Sequence, residues 1–540
     1  MSSDDPILKR LETLNAIGVA LSSERDIGSL LERILEAARD FAHADGGTLY
    51  RVQDRQLIFE VLRNDTLGLV LGGKHGQPID IAPLQLYAQD GSGNDTMVAP
   101  HAVLSGLTVN IPDAYAAEGF DFSGTRAFDQ SSGYHSQSFL TVPMKDHSGV
   151  VIGVLQLINA KDLHGQVCAF SQADQQLVES LASQAAIALS NRQLMEQLET
   201  LFESLIKLIN TAIDEKSPYT GGHCDRVPVL TMMLAEAAAR SQVGPLTEFR
   251  MSEADRYELK IAGLLHDCGK ITTPVHVVDK ATKLETLFDR IALIDTRFEV
   301  LLRDAEIAHL KGELDTQAYT EKVSHLGAGR ELVRRSNTGG EFMDDAQIKA
   351  IKNLSELSWR PHDGAARPFL SAEEVENLTI RRGTLTFAER EIINHHIVVT
   401  IKMLEALPWP PHLRQVPEYA GGHHERMDGK GYPKGLTREQ MSIPARVMGI
   451  ADIFEALTAR DRPYKPAKTV SESLRILGAM KRDGHIDPDL FDVFLRERVY
   501  LDYAKRFLDP DKIDVIDWTS MPGISPELAA ELTASDPQRK

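Results

Sequence analysis

Two short strings carry the residue types of a hydrolytic metal centre: His266-Asp267 in LLHDCGK, and His423-His424-Glu425 in GGHHERMDGKGYPKGL. Adjacent ligand-type residues are uncommon by chance, and each pair stands beside apolar sequence that a fold would bury. Neighbours on a helix point about 100° apart, so an adjacent pair can serve two different cations. That suits a two-metal centre better than a single zinc site. A zinc finger or a zinc protease would need CxxC pairs or HExxH, and the chain has neither.

Other ligand-type residues fall at the edges of apolar helices. His223 lies in SPYTGGHCDRV, and His266 and Asp267 end the helix of LKIAGLLHDCGK. In TFAEREIINHHIVVTIKML, Thr386 and Glu389 form a capping box, which predicts a helix starting there. Ile393, His396, Thr400, Met403 and Leu404 then share one face, so His396 points inward and His395 to the side. Asp452 sits on a helix opened by Pro444, at the edge of the stripe Val447, Ile450, Ala451, Phe454 and Leu457. A carboxylate there is costly unless a cation or a donor receives it. A lone histidine on an apolar face is ordinarily a satisfied core residue, and any one of these alone reads that way. Five histidines and two aspartates at successive buried edges do not. Nitrogen and oxygen ligands without thiolate suit Fe, Mn, Co or Zn in a mixed, roughly octahedral site. Cys224 and Cys268 neighbour ligands but read as packing residues.

These helices belong to a chain of 540 residues, enough for about two to four domains. Its 42% hydrophobic and 25% charged residues are those of an ordinary globular protein. No apolar run is long enough for a transmembrane helix, and the acidic, amphipathic MSSDDPILKRLETL lacks the pattern of a signal peptide. Three scattered cysteines build no disulfide framework, so a reducing cytoplasm is the expectation. A net charge of −19 argues against long nucleic acid as a partner, but not against a small anion in a basic pocket.

Residues from about 5 to 43 read as amphipathic helix, through Leu11, Leu14, Ile17, Leu21, Leu30, Leu31, Ile34 and Ala37. From GGTLYRV to GVLQLINA the pattern is strand-like, with β-branched runs such as VVIGVLQLI. AQDGSGND and DFSGTRAFDQSSGYHS read as loops able to close over a ligand. Helix–sheet–helix of this size, with FDQSSGYHSQSFLTVPMKDHSGVVIGVLQLINA, resembles a GAF sensor domain over residues 1–190. The resemblance implies a small-molecule ligand of unknown identity or a structural role. Cys168 falls in a late loop, outside the position of a covalent bilin.

A long helix over about Gln172–Thr211 follows as a connector. Leu181, Ala188, Met195, Phe202 and Ile209 form one heptad line, and Leu177, Leu198 and Leu205 another, interrupted by Gln184 and Asn191. A parallel homodimer is the expectation. From Ser217 the chain reads as nearly all helical. Between about 281 and 382 no ligands stand out. Leu284, Leu287, Phe288, Ile291, Ile294, Phe298 and Leu301 form a helical stripe there, which predicts an inserted helical subdomain, with SNTGGEFMDD and SWRPHDGAARPF as loops. After Pro510 the tail carries no pattern.

HDCGK, HHERMDGKGYP and RVMGIADIFEALTARDRPYK together resemble the HD-GYP family of metal-dependent phosphodiesterases, over about 212–280 and 383–500. The resemblance implies that His223, His266, Asp267, His396, His423, His424 and Asp452 bind two divalent ions, Fe or Mn before others, with Asp267 bridging them. It implies that Lys270 contacts the scissile phosphate, and Arg462 and Lys465 the substrate phosphates. Tyr432 reads equally as a base-stacking residue and as support for its loop. The family's usual substrate is cyclic di-GMP, hydrolysed to linear pGpG and/or GMP. Diguanylate cyclases and other signalling proteins are partners the resemblance allows. Some members place a Glu four positions before the first histidine for a third ion. Tyr219 stands there in this chain, and Glu215 is a turn too far, so two ions are expected.

The expected architecture is therefore multidomain α+β: a GAF-like antiparallel sheet with helices (1–190), a connector helix (172–211), an all-α HD-type bundle (212–505) and a tail (506–540). A cyclic-dinucleotide phosphodiesterase gated by the sensor competes with two alternatives. One is a slow module that binds the dinucleotide or a partner protein, and the other is a phosphohydrolase of another nucleotide.

Overall fold

Asp26 breaks the first helical stretch. Its carboxylate accepts from Ser29 N at 2.7 Å and caps α1, Ile27–Ala42. The helix expected over 5–43 is thus interrupted: residues 15–21 are helical before Asp26 and α1 follows it, while Leu11 and Leu14 lie outside the described residues. The computed structural model describes residues 15–535 apart from 22, 25, 89, 217–221, 243, 340–341 and 461–466. The chain divides into two units, Met1–Phe202 and Glu203–Lys540.

In the first unit, an antiparallel sheet is built from β1 (Ala44–Gln53), β2 (Gln56–Asn64), β3 (Leu69–Gly72), β4 (Leu84–Gln85), β5 (Val109–Ile111), β6 (Phe139–Lys145), β7 (Val151–Lys161) and β8 (Val167–Cys168). The order is β3-β2-β1-β7-β6-β5, with β4 on β2 and β8 on β7. Helices α2 (Val98–Ser105) and α3 (Ser123–Ser132) join its strands, and α4 (Gln172–Lys216) follows them. One core cluster joins α1, through Leu30, Leu31, Ile34 and Leu35, to the first half of α4, through Val178, Leu181, Ala185 and Leu189. A second gathers Val98, Ile111, Phe122 and Phe139. Part of the expected loop DFSGTRAFDQSSGYHS is α3. Its buried Asp129 accepts from Ser136 N and Oγ, each at 2.8 Å, and from Tyr115 Oη at 2.7 Å. Cys168 lies on β8 rather than in a loop.

The connector corrects the expected seam. Helix α4 runs on to Lys216, but Leu181 and Ala188 are buried in the first unit's core and Phe202 and Ile209 are half-covered. The stripe left open is Ile187, Leu194, Leu198, Leu201, Leu205 and Leu208, with Met195 beside it. Leu198 is 65% exposed and Leu208 64%. The packed half of the helix used the residues that the sequence pattern alone had assigned to a partner.

The second unit is helical: α5 (His223–Arg240), α6 (Glu253–Leu265), α7 (Val275–Val278), α8 (Ile291–Leu310), α9 (Thr316–Asn337), α10 (Asp345–Ser355), α11 (Ala372–Leu378), α12 (Phe387–Glu405), α13 (Val416–Gly421), α14 (Ile443–Thr458), α15 (Val470–Arg482), α16 (Pro488–Arg496), α17 (Val499–Phe507) and α18 (Pro526–Ala534). The segment over 281–382 has its own core of Leu284, Ile294, Phe298, Leu326, Val333, Ile351, Leu354 and Phe369. Its stripe is shorter than expected. Helix α8 opens at Ile291, and Leu287 and Phe288 stand 89% and 57% exposed in the preceding turn. SWRPHDGAARPF is a minimal hairpin, β9 (Ser358–Trp359) on β10 (Arg367–Pro368).

The base of this segment is stitched. Thr384 Oγ1 donates to Lys280 O at 2.9 Å, and Leu284 N donates to Asn337 Oδ1 at 2.8 Å. Lys283 Nζ donates to Ile380 O at 2.7 Å and Leu378 O at 3.2 Å. Lys280 Nζ donates to Asn377 Oδ1 at 2.7 Å and pairs with Glu389 at 2.8 Å. Glu389 is also the capping-box residue of α12. The expected tail is folded too: Trp518, Leu528 and Leu532 are buried, and α17 crosses the expected boundary at 505/506.

Candidate metal centre

Five elements of the second unit bring seven side chains to one point. Gly222, at φ 79, turns the chain into α5, so that His223 is its first residue. Helix α6 starts on a Ser252/Asp255 capping box and delivers His266 and Asp267 at its end. The HDCGK turn then packs on α12. Gly269 N donates to Thr400 Oγ1 at 2.9 Å, and a Cβ on Gly269 would stand 2.0 Å from His396 O. Any larger residue there would push the two ligand-bearing elements apart. Thr386 and Glu389 form the expected capping box on α12, with His396 buried and His395 exposed. His423 and His424 follow α13, and α14 carries Asp452.

Two ligand sets result, His223 with His266 and Asp267, and His396 with His423 and His424. Asp267 stands between them. Its Oδ2 lies 3.2 Å from both His223 Nε2 and His266 Nε2, and its Oδ1 lies 3.3 Å from His396 Nε2. Asp452 Oδ1 lies 3.3 Å from His223 Nε2 and 3.9 Å from His266 Nε2. His424 Nε2 is 3.2 Å from His396 Nε2. His223 Nε2, His266 Nε2, His423 Nε2 and Asp267 Oδ1 are all buried without a hydrogen-bond partner. Orphaned buried polar atoms are rare and costly, and lone pairs converging on one spot are what a cation satisfies. The residues fit a pair of divalent ions.

Burial disfavours charge throughout, and neighbours decide the outcome. For Asp267, Lys270 and His266 outweigh burial and hold the carboxyl well below the usual range. For Asp452, His223 and then His423 do the same. Burial, reinforced by His424 and His266, pushes His423 well below the ordinary histidine value, and burial pushes His424 down to about 4. His223 goes the other way: Glu455, Asp267 and Asp452 overcome burial and hold it well above that value. Of these groups, His223 is the one that must give up a proton before its Nε2 can take a cation. Cation affinity is therefore expected to rise with pH through neutrality, by up to about tenfold per unit, until His223 is neutral. Calorimetric titrations in buffers of different ionisation enthalpy count that proton. A pH-independent affinity would refute this account of His223.

Lys270 Nζ lies 2.5 Å from Asp267 Oδ2. Burial opposes its charge, but Asp267 and Asp452 raise its pKa, so it stands at the centre as an ammonium. Tyr432 stacks on His424, ring centroids 4.9 Å apart at 21°. Burial, aided by Asp452 and Asp267, pushes its phenol up to about 12. One face of that ring is thus already taken. Gly431 allows the loop to lie on its own chain, where a Cβ would stand 2.4 Å from Arg426 N. Arg462, Lys465 and Tyr219 lie outside the described residues, and Glu215 is exposed.

Arg226 and Glu455 had no sequence reading as site residues, and Glu425 was read only as part of its string, with no role of its own. Glu425, 4% exposed, accepts from Lys434 N at 2.7 Å and Leu436 N at 2.9 Å and so fixes the loop that follows His424. Glu455 meets His223 Nδ1 and accepts from Arg226 Nε at 2.7 Å. Their signal was present in the spacing. Arg226 and Glu455 each stand three residues, about one helical turn, after His223 and Asp452.

Residues 26–189 match the family model of the GAF domain, and 220–388 and 372–490 match two models of the HD domain. The chain thus carries a GAF domain followed by an HD domain. It is similar to a 3′3′-cGAMP-specific phosphodiesterase of Vibrio cholerae, 24% identical over 295 residues, covering 54% of this chain and 38% of the relative. It is also similar to a cyclic di-GMP phosphodiesterase of Thermotoga maritima, 32% identical over 222 residues, covering 40% of this chain and 54% of the relative. The chain therefore spans less than two thirds of the length of either. Among solved structures, a GAF domain/HD domain protein of Geobacter sulfurreducens matches 32% of this chain and 98% of its own, at 17% identity and a TM-score of 0.24. Among the described residues, no helix is long and apolar enough to cross a membrane.

Proposed function

We propose that the chain is a metal-dependent phosphodiesterase of cyclic dinucleotides, with cyclic di-GMP as substrate and the GAF domain as its regulatory input. The observation that carries this reading is the pair of ligand sets sharing Asp267 in an HD domain. Fe or Mn suits seven nitrogen- and oxygen-bearing residues without thiolate. Two such ions supply Lewis-acid stabilisation of a phosphate and a water acidic enough to react near neutral pH.

The chain's own groups orient the substrate. Lys270, kept protonated by Asp267, is a fixed positive charge beside the centre, which favours neutralising a phosphate oxygen over donating its proton. Arg462 offers a planar fork to the second phosphate and Lys465 a point charge. Tyr432 is left one ring face for a base. Attack opens the cyclic diester to pGpG, and a second cut gives GMP. Phosphate and cation contacts are blind to the base, and relatives named for cyclic di-GMP and for 3′3′-cGAMP both match. The mixed dinucleotide is therefore the second reading.

We expect about two ions per chain in anaerobically prepared protein, by elemental analysis, and pGpG or GMP from cyclic di-GMP in a panel of cyclic nucleotides. A stoichiometry near one, or tight binding without product, would replace the enzyme with a binding module.

The open stripe on α4 is read as the seam of a parallel homodimer. Ile187, Leu194, Leu201 and Leu208 take the d positions of a heptad, and Leu198 and Leu205 take a, with Asn191 one heptad before them. An asparagine at a pairs best with itself in register, which selects a second copy of this chain as the occupant.

A further inference from the structure

We infer that Glu455, clamped by Arg226, is a positioning residue that makes the two cation sites unequal and fixes the order in which they fill. The inference rests on the two-metal reading above and adds a difference between the sites. Three of the ligand histidines are held through Nδ1 by a neutral carbonyl three residues earlier: His266 on Gly263 O at 2.7 Å, His396 on Ile393 O at 2.5 Å and His423 on Ala420 O at 2.6 Å. His223 is the first residue of its helix. Its Nδ1 is met instead by Glu455 from α14, 1% exposed in its side chain.

Such a carboxylate is costly to bury unless it is paired, and Arg226 Nε pairs it at 2.7 Å. His223 and Arg226 share one face of α5, as Asp452 and Glu455 share one face of α14, and the four form a chain of contacts: Asp452, His223, Glu455, Arg226. A carboxylate behind a histidine fixes which nitrogen carries the proton and makes the other a stronger donor than a carbonyl does. The His223 set also faces Asp452 and the Oδ2 of Asp267, whereas the other set joins three histidines to the single oxygen Oδ1. More negative charge and a stronger imidazole lie on one side. The His223 side fills first and holds its ion more tightly.

Metal-stripped full-length protein titrated with Mn(II) alone tests this, free Mn(II) being read by paramagnetic resonance. Wild type is expected to fill in two steps. Glu455→Gln should weaken the tighter step by about 10–100-fold, the range for losing such an outer partner, and leave the weaker step in place. Glu455→Asp should restore part of the loss, and the melting temperature of the metal-free protein should hold. If Glu455→Gln lowers that melting temperature, Arg226→Met, which unclamps the carboxylate without removing it, is expected to give the same selective loss. Unchanged steps, or equal weakening of both, would overturn the inference while the two-metal reading stands. A wild type that takes up one ion would overturn both.

Discussion

Asp267→Ala is expected to remove both metal loading and hydrolysis. Asp267 is 2% exposed and gives one oxygen to each ligand set, so its loss strips a donor from both sites at once. The two cations would also lose the negative charge between them. The drop should exceed the about 10–100-fold typical of losing an outer partner. Lys270 would lose the carboxylate 2.5 Å away that sustains its charge. Asp267→Asn separates these effects, because it keeps the volume and one acceptor but not the charge. It is expected to retain at most the ion of one set. Metal content and turnover of cyclic di-GMP, measured on the same preparations, check both variants. Full metal content with normal turnover in Asp267→Ala would refute the shared-ligand assignment.

Leu198→Glu combined with Leu205→Glu is expected to convert a dimer into monomers. Each side chain is at least half exposed, so covering it on a second copy is worth about 1 kcal/mol, and the whole two-chain seam is worth on the order of 10 kcal/mol. Association costs about 4–15 kcal/mol, so the seam holds only when most of it is engaged. Two charges at successive a positions remove its middle. Sedimentation or light scattering reads the outcome. A dimer that survives both changes would place the interface elsewhere. The same changes at Leu181 and Ala188 should instead unfold the first unit, because those residues are core.

That contrast shows what the sequence could reveal. A heptad count finds a stripe but cannot say which face of α4 is already occupied. The packing of Val178, Leu181 and Ala185 with α1 is a long-range fact. The ligand residues were legible because their chemistry is written in adjacent pairs and capping boxes, which are local. Thr386 and Glu389 predicted where α12 starts and hence which histidine turns inward. The spacing puts Glu455 on the face of Asp452, but its partner was not legible there, because that depends on α14 facing α5. Leu287 and Phe288 fitted a helical period, yet the turn before Ile291 leaves both in solvent. Periodicity does not register where a helix begins when no cap announces it.

The stitched base of the 281–382 segment has a consequence for how this chain can be altered. Lys280 and Lys283 on the way in meet Asn377, Leu378, Ile380 and Thr384 on the way out, so an excursion of about a hundred residues leaves and returns through one doorway. To the host helices it is a short loop, and the entropy of closing it depends little on what lies beyond the doorway. Such a segment is a cassette. It can lengthen, shrink or be exchanged without moving His266 or His396, provided the lysine staples and the Glu389 anchor at the start of α12 are kept.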